Sequence, residues 1–74
     1  MVDGAKLRAI RELRGKSLEA LGRDTGFSAH TIMRIETGFT KDPGIETLMI
    51  ITKALLIDLE DILIREVEEG EAHE

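Results

Sequence analysis

The chain has no cysteine, tryptophan or tyrosine, and only two phenylalanines and one proline among its 74 residues. Without cysteine, a disulfide framework, a thiolate metal site and a cysteine nucleophile are all excluded. With so few aromatic rings, the core must be built from aliphatic side chains. No uninterrupted apolar run exceeds four residues, which is far too short to span a bilayer.

The length fits one small domain, near the lower limit at which a core is stable without disulfides or metals. The first residues, MVDGAKLR, lack the apolar segment of a secretory signal. We therefore expect a single soluble, cytoplasmic domain that makes no membrane contact.

Charge is unevenly distributed along the chain. The net charge is −5, but residues 1–41 carry eight Lys or Arg against five Asp or Glu, whereas residues 42–74 carry two against ten. Because the Debye length is only about 8 Å at physiological salt, an acidic segment does not cancel a distant basic face. Nucleic-acid binding therefore remains open, although uneven solvated charge on a helical protein is the plainer interpretation.

The segment 17–38 predicts two short helices joined by a tight turn. Ser17 and Ser28 are good N-caps, each placed directly before a helical stretch. Thr25 is expected to end the first of these helices, with Gly26 as the following residue at positive φ. Gly22 has no side chain and would let the two helices approach closely. The pattern predicts a helix-turn-helix.

Helical spacing of apolar residues predicts three further helices. A short leader, with Asp3 as a cap, precedes a first helix over 6–14. A fourth helix covers 44–55, and Asp58 caps a fifth. The inner face of the fourth helix is expected to carry Ile45, Leu48, either Ile51 or Thr52, and Leu55. The expected fold is all-α, a compact bundle of about five short helices in a domain over 1–65. The acidic segment 66–74 is expected to be a disordered tail.

The spacing of thirteen residues resembles that of the XRE family of helix-turn-helix DNA-binding domains, the phage-repressor-like or Cro-type family. The resemblance covers residues 7–63 and implies a lambda-repressor-like domain. Three positions depart from the family pattern. Leu18 stands where the family usually has a Gln that contacts phosphate, and Lys16 stands where it usually has an apolar residue. Leu56 stands where the family usually has a Gly after the fourth helix. The matching residues are Arg11, Leu21, Gly22, Gly26, Ile32, Ile35, Glu36, Gly38, Pro43, Leu48, Ala54, Leu55 and Leu59.

The resemblance implies a role for several polar residues. It implies a structural, non-catalytic ion pair between Arg11 and Glu36. It also places the helix over 28–37 in the DNA major groove, where Arg34 would read guanine. Each of these roles has a plainer alternative. His30 could be a solvated side chain, Met33 a tolerated surface residue, and Arg34 a partner in a surface ion pair. The five base-reading candidates are Ala29, His30, Met33, Arg34 and Thr37.

Backbone phosphates would be held at helix N-termini and by neighbouring polar side chains, each of which could equally be solvated surface. Phe39 stands out in the loop after the recognition helix, and we expect it to cap the core, with an exposed partner contact as the alternative. The phosphate candidates are Lys16, Ser17, Arg23, Ser28, Thr40 and Lys41.

The end of the chain has more aliphatic residues than a short last helix needs. This surplus predicts a homodimer interface, and packing within a monomer is the alternative. The residues concerned are Leu56, Ile57, Leu59, Ile62, Leu63 and Ile64.

These observations favour a homodimeric, sequence-specific DNA-binding regulator, a prokaryotic or phage repressor or controller that binds double-stranded DNA without cofactor or metal. The alternative is an antitoxin or regulatory adaptor that binds a partner protein through its C-terminal helices. An enzyme is not indicated, because His30 and His73 have no zinc-ligand spacing and no partnered nucleophile is recognisable.

Overall fold

The computed structural model describes residues 1–64 as four α-helices and one 3₁₀ helix. The α-helices are α1 (Gly4–Leu13), α2 (Leu18–Thr25), α3 (Ala29–Glu36) and α4 (Ile45–Leu55), and the 3₁₀ helix covers Leu59–Ile62. The predicted all-α class is confirmed. The fifth element, however, is a single 3₁₀ turn and not an α-helix, and the expectation for 66–74 lies outside the described residues.

The turn between α2 and α3 forms as its local sequence predicts. The Ser17 hydroxyl oxygen accepts a hydrogen bond from the Ala20 amide at 3.0 Å, and the Ser28 hydroxyl oxygen accepts one from the Thr31 amide at 3.1 Å. Gly26 ends α2 in the left-handed conformation, with φ of 85°. Because each cap satisfies an otherwise free amide, both helices begin at a defined residue.

Gly22 lies where α2 crosses the start of α3. A Cβ atom at this position would lie 2.7 Å from the Phe27 carbonyl oxygen and 3.4 Å from the Ala29 amide nitrogen. Only a glycine therefore lets the two backbones approach this closely. The prediction of a close crossing at Gly22 is confirmed.

The short leader before α1 packs against the domain, and the expected cap at Asp3 is confirmed. Val2 is buried and forms an antiparallel bridge with Leu63. The Asp3 amide donates to the Ile62 carbonyl at 2.7 Å, and the Asp3 side chain caps α1 by accepting from the Lys6 amide. The two ends of the described chain are thus paired, a contact between distant residues that local sequence cannot reveal.

α1 consequently begins at Gly4, two residues before its predicted start. Gly4 packs against the end of α3, where a Cβ atom would lie only 2.4 Å from the Ile35 carbonyl oxygen. The first turn of α1 therefore holds the C-terminus of α3 in place.

The core is aliphatic, as the composition requires. Ile62 is fully buried in it, so this residue cannot belong to the predicted dimer interface without unfolding the last turn. Ile57, Leu59 and Leu63 are half-buried and pack against the same core. The buried apolar residues are Val2, Leu7, Leu21, Ile32, Ile35, Leu48, Ile51, Leu55 and Ile62.

α4 buries the predicted stripe except for its first member, Ile45. Leu48, Ile51 and Leu55 face the core, but Ile45 is 56% exposed. At 100° per residue, Ile45 lies at the edge of the stripe that these three side chains define. Ile45 therefore joins Met49 and Ile50 as an exposed apolar side chain of α4.

The end of α4 has an unusual backbone. Leu56 adopts the left-handed conformation, with φ of 61° and ψ of 44°, and it is 82% exposed. The Arg14 Nε donates to the Leu55 carbonyl oxygen at 2.9 Å, which satisfies one of the last carbonyls of the helix. The glycine that the resembled family has here would adopt this conformation without strain.

We expect Leu56→Gly to stabilise the monomeric domain by about 1 kcal/mol, because it removes the strain of a left-handed leucine. Leu13 is the matched control: it is equally exposed, at 83%, but ends α1 in helical conformation, so Leu13→Gly should destabilise by about 0.5–1 kcal/mol. Chemical denaturation at low protein concentration measures both. A loss of stability in Leu56→Gly would contradict the assigned strain.

Candidate nucleic-acid interface

One side of α3 faces the core and the other faces solvent. Ile32 and Ile35 are buried, whereas His30, Arg34 and Thr37 are exposed. The remaining base-reading candidates, Ala29 and Met33, are half-buried. The buried isoleucines thus fix the rotation of the helix about its axis, and this rotation turns a polar face outward.

Four of the five base-reading candidates line one open recess of about 260 Å³. His30, Met33, Arg34 and Thr37 surround it together with Phe39. Ala29 does not belong to this group, since it borders a separate recess beside α2. That second recess is lined by Glu19, Gly22, Arg23, Gly26, Phe27 and Ala29.

The preferred expectation for Phe39, a cap over the core, is wrong, and the ring is exposed as in the alternative. Its ring is 76% exposed and does not cap the core. Instead, the Arg34 guanidinium lies over the ring, with its central carbon 5.5 Å from the ring centroid, the geometry of a cation–π contact. Residues five apart do not meet on a regular helix, and only the break at Gly38 brings these two together.

The serine hydroxyls among the phosphate candidates serve mainly as caps. Ser17 and Ser28 hold the starts of α2 and α3, and the Ser28 hydroxyl also donates to the Thr31 hydroxyl at 2.9 Å. Each cap leaves helix N-terminal amides at the surface, where anions bind favourably.

The basic phosphate candidates differ in their surroundings. Lys16 is half-buried and ion-paired with Asp24, so a phosphate contact requires it to exchange partners. Arg23 and Lys41 are exposed, Arg23 in the last turn of α2 and Lys41 in the loop after α3. Thr40 is half-buried, and its amide donates to the Arg34 carbonyl at 3.0 Å.

A buried ion pair connects α3 to α1, as the resemblance implied. The Arg11 Nε and Nη2 atoms donate to the two carboxylate oxygens of Glu36 at 2.6 and 3.1 Å, and their side chains are only 8% and 3% exposed. The Arg11 Nη1 donates to the Lys16 carbonyl at 2.7 Å. One guanidinium therefore connects α1, the end of α3 and the loop before α2.

This arrangement also fixes the charge state of Arg11. The hydrogen bond to Glu36 raises the pKa of the Arg11 guanidinium above its ordinary value, although burial acts in the opposite direction. Arg11 therefore stays charged, and the pair acts as a structural tie.

Neither a membrane span nor a metal centre is found in residues 1–64. No helix there is both long and apolar enough to cross a membrane. No group of three or more His, Asp or Glu side chains in the same range lies close enough to hold a metal ion.

Two capped helices that cross at a glycine, with the outer face of the second open to solvent, define a helix-turn-helix domain. The family model of the Cro/C1-type HTH DNA-binding domain matches residues 6–68, and the chain belongs to this family. The resemblance drawn from the sequence is thereby confirmed. No curated protein and no solved structure matches the chain.

Proposed function

We propose that this protein is a sequence-specific transcriptional regulator, a repressor or controller, that inserts α3 into the major groove of DNA. The observation that carries the proposal is the recess on the outer face of α3, where His30, Met33, Arg34 and Thr37 converge. The width of an α-helix matches the major groove, where each base pair presents a distinct pattern of donors, acceptors and methyl groups. We assign the regulator to the cytoplasm of a prokaryote or of a phage host.

Arg34 is the principal reading residue in this proposal. Its guanidinium is exposed and presents paired N–H donors that match the O6 and N7 acceptors of guanine. His30 and Thr37 offer further polar contacts, while Ala29 and Met33 suit a thymine methyl group. These contacts distinguish bases and do not depend on the total charge of the chain.

Phosphate contacts position the helix without reading sequence. The capped N-termini of α2 and α3, together with Arg23 and Lys41, are suited to this role. Leu18, where the family usually has Gln, packs against the core and supplies no side-chain contact. We therefore expect modest non-specific affinity, with specificity depending on the α3 side chains.

We further propose a homodimer, which would place two copies of α3 about 34 Å apart on successive turns of DNA. Leu56 and Ile64 are the exposed members of the predicted interface, with Ile57, Leu59 and Leu63 half-buried beside them. Sedimentation equilibrium of the Leu56→Asn variant tests this. Asparagine tolerates the positive φ at this position but is polar, so the variant should dimerise more weakly than the wild type.

A partner-binding role, as an antitoxin or adaptor, is the second candidate. Ile45 and Met49, which lie one turn apart on α4, favour it, because neighbouring exposed apolar side chains suit a protein contact; Ile50 is also exposed, on an adjacent face. This role predicts that the folded protein enriches no DNA sequence.

Selection from a random duplex library tests the proposed function. The purified protein should enrich a two-fold symmetric consensus, and its affinity for the recovered duplex should fall as salt rises. Failure of folded protein to enrich any sequence would contradict the proposal and favour the partner-binding role.

We expect Arg34→Ala to weaken binding to the recovered duplex by about 1–3 kcal/mol while leaving the helical fold intact. Arg8→Ala is the matched control, since it removes an equal charge from the exposed face of α1 and should have little effect on binding. Fluorescence anisotropy measures both. Equal losses in the two variants would show that charge, and not base reading, dominates.

A further inference from the structure

Phe39 places a large apolar ring at the surface, directly under a cation. The other aromatic residue, Phe27, packs against the core, as an aliphatic domain of this size would favour. Phe39 instead borders the recess that contains the proposed reading residues, and its ring lies under the Arg34 guanidinium. Phe39 therefore belongs to the surface around this recess and not to the core.

The backbone holds Phe39 in this place from both sides. Before it, Gly38 adopts the left-handed conformation with φ of 86°, and the Gly38 amide donates to the Ile35 carbonyl at 3.2 Å. After it, the Thr40 amide donates to the carbonyl of Arg34 itself at 3.0 Å. The backbone conformation therefore places the Phe39 ring near Arg34, and the side-chain rotamers complete the contact.

A contact of this kind restricts the guanidinium while leaving its donors available. A free arginine on an exposed helix samples many rotamers, and binding to a base must select one of them. The Phe39 ring, whose centroid is 5.5 Å from the guanidinium carbon, limits this sampling. A cation–π contact is made by the charge of the guanidinium and does not use its N–H donors. The reading residue is then ordered before DNA arrives.

We infer that Phe39 is a positioning residue that orders Arg34 for reading guanine. The inference rests on the proposed function, and it assigns specificity to a loop residue outside α3. Phe39 acts through Arg34, so its loss should have no effect when Arg34 is absent. It should also act through its π face, so tyrosine should replace it and leucine should not.

A double-mutant cycle on the selected duplex tests this. Phe39→Leu should reduce affinity about 2- to 12-fold, because binding must then also order the long Arg34 side chain, and this is the cost of ordering one such side chain. Phe39→Tyr should bind within about twofold of the wild type. In the Arg34→Ala background, Phe39→Leu should have no further effect. Thermal unfolding should be unchanged in each Phe39 variant, because the ring is exposed.

A base analogue separates positioning from general packing. Replacing the contacted guanine with 7-deazaguanine removes the N7 acceptor, so the ratio of the two affinities reports the arginine contact. This ratio should fall in Phe39→Leu and be retained in Phe39→Tyr. A purely structural role would lower both affinities equally and leave the ratio unchanged, which would overturn the inference.

The free protein supplies a test that needs no DNA. In its NMR spectrum, ring currents should shift the Arg34 δ-methylene protons upfield, and Phe39→Leu should abolish the shift. If DNA binds but this shift is absent, or if Phe39→Leu binds as well as the wild type, the proposed function stands and the inference is overturned. If no duplex is selected, the proposed function fails and the reading role fails with it.

Discussion

Glu36→Ala is expected to destabilise the domain by about 3–5 kcal/mol, because it removes the buried carboxylate that accepts two hydrogen bonds from Arg11 and leaves only the half-exposed Glu12 carboxylate, 4.0 Å away, as a counter-charge. Both Glu36 oxygens accept from Arg11, and both side chains are almost fully buried. A small aliphatic core seldom contributes more than about 3–5 kcal/mol of net stability. The variant should therefore be largely unfolded at 37 °C, as measured by circular dichroism.

Two comparisons identify the cause of this loss. The exposed pair of Arg8 and Glu12 joins similar groups at 3.1 Å on α1, and Arg8→Ala should cost less than about 1 kcal/mol. Removing both buried charges, in Arg11→Met with Glu36→Leu, should restore much of the stability that Glu36→Ala loses. A loss in Glu36→Ala no larger than that in Arg8→Ala would show that burial of the pair is unimportant.

Gly22→Ala is expected to cost about 1–3 kcal/mol, because the new Cβ atom would lie 2.7 Å from the Phe27 backbone oxygen. Helix propensity alone would predict a gain of up to about 1 kcal/mol for alanine. The sign of the measured change therefore distinguishes close packing from propensity. Urea denaturation measures it, with Glu19→Ala at an exposed position of α2 expected to stay within about 0.5 kcal/mol.

The same substitution should also impair DNA binding. To relieve the clash, the turn and the start of α3 must move away from α2. This movement displaces His30 and Arg34 relative to α2. We expect the variant to lose affinity for the selected duplex at temperatures where it is folded, and the amide resonance of Ala29 to shift. A stabilised variant with unchanged affinity would contradict the close crossing.

Features encoded by neighbouring residues were predictable from the sequence. Ser17, Ser28 and Gly26 each act within a few residues, through a cap or a left-handed turn, so their roles follow from residue type and spacing. Ile32 and Ile35 likewise fix the outer face of α3 by helical periodicity. The helix-turn-helix and four of the residues that line the recess were accessible on these grounds.

Apart from the Arg11–Glu36 pair, which the family resemblance implied, features that depend on distant contacts were not predictable from local spacing. The pairing of Val2 with Leu63 joins the two ends of the described chain and converts a predicted leader into part of the core. It also helps bury Ile62, which sequence alone assigned to a dimer surface. Amphipathic spacing cannot distinguish an aliphatic residue that packs within its own chain from one that packs against a partner.

Phe39 was placed wrongly for a related reason. Buried aromatic residues are common in small domains, so an isolated phenylalanine in a loop suggests a cap over the core. Its actual neighbour, Arg34, is decided by the left-handed turn at Gly38 and by the Thr40 amide. Residue type alone gives no signal for such a pairing.

Methylation interference on the selected duplex tests most directly that α3 reads the major groove through Arg34. Methylation of guanine N7 blocks a major-groove acceptor without changing the base pairing. Methylation at guanines in both half-sites should exclude the wild-type protein, and Arg34→Ala should become insensitive at one guanine in each. Interference that is absent in the wild type, or identical in the variant, would show that Arg34 does not read guanine in the major groove.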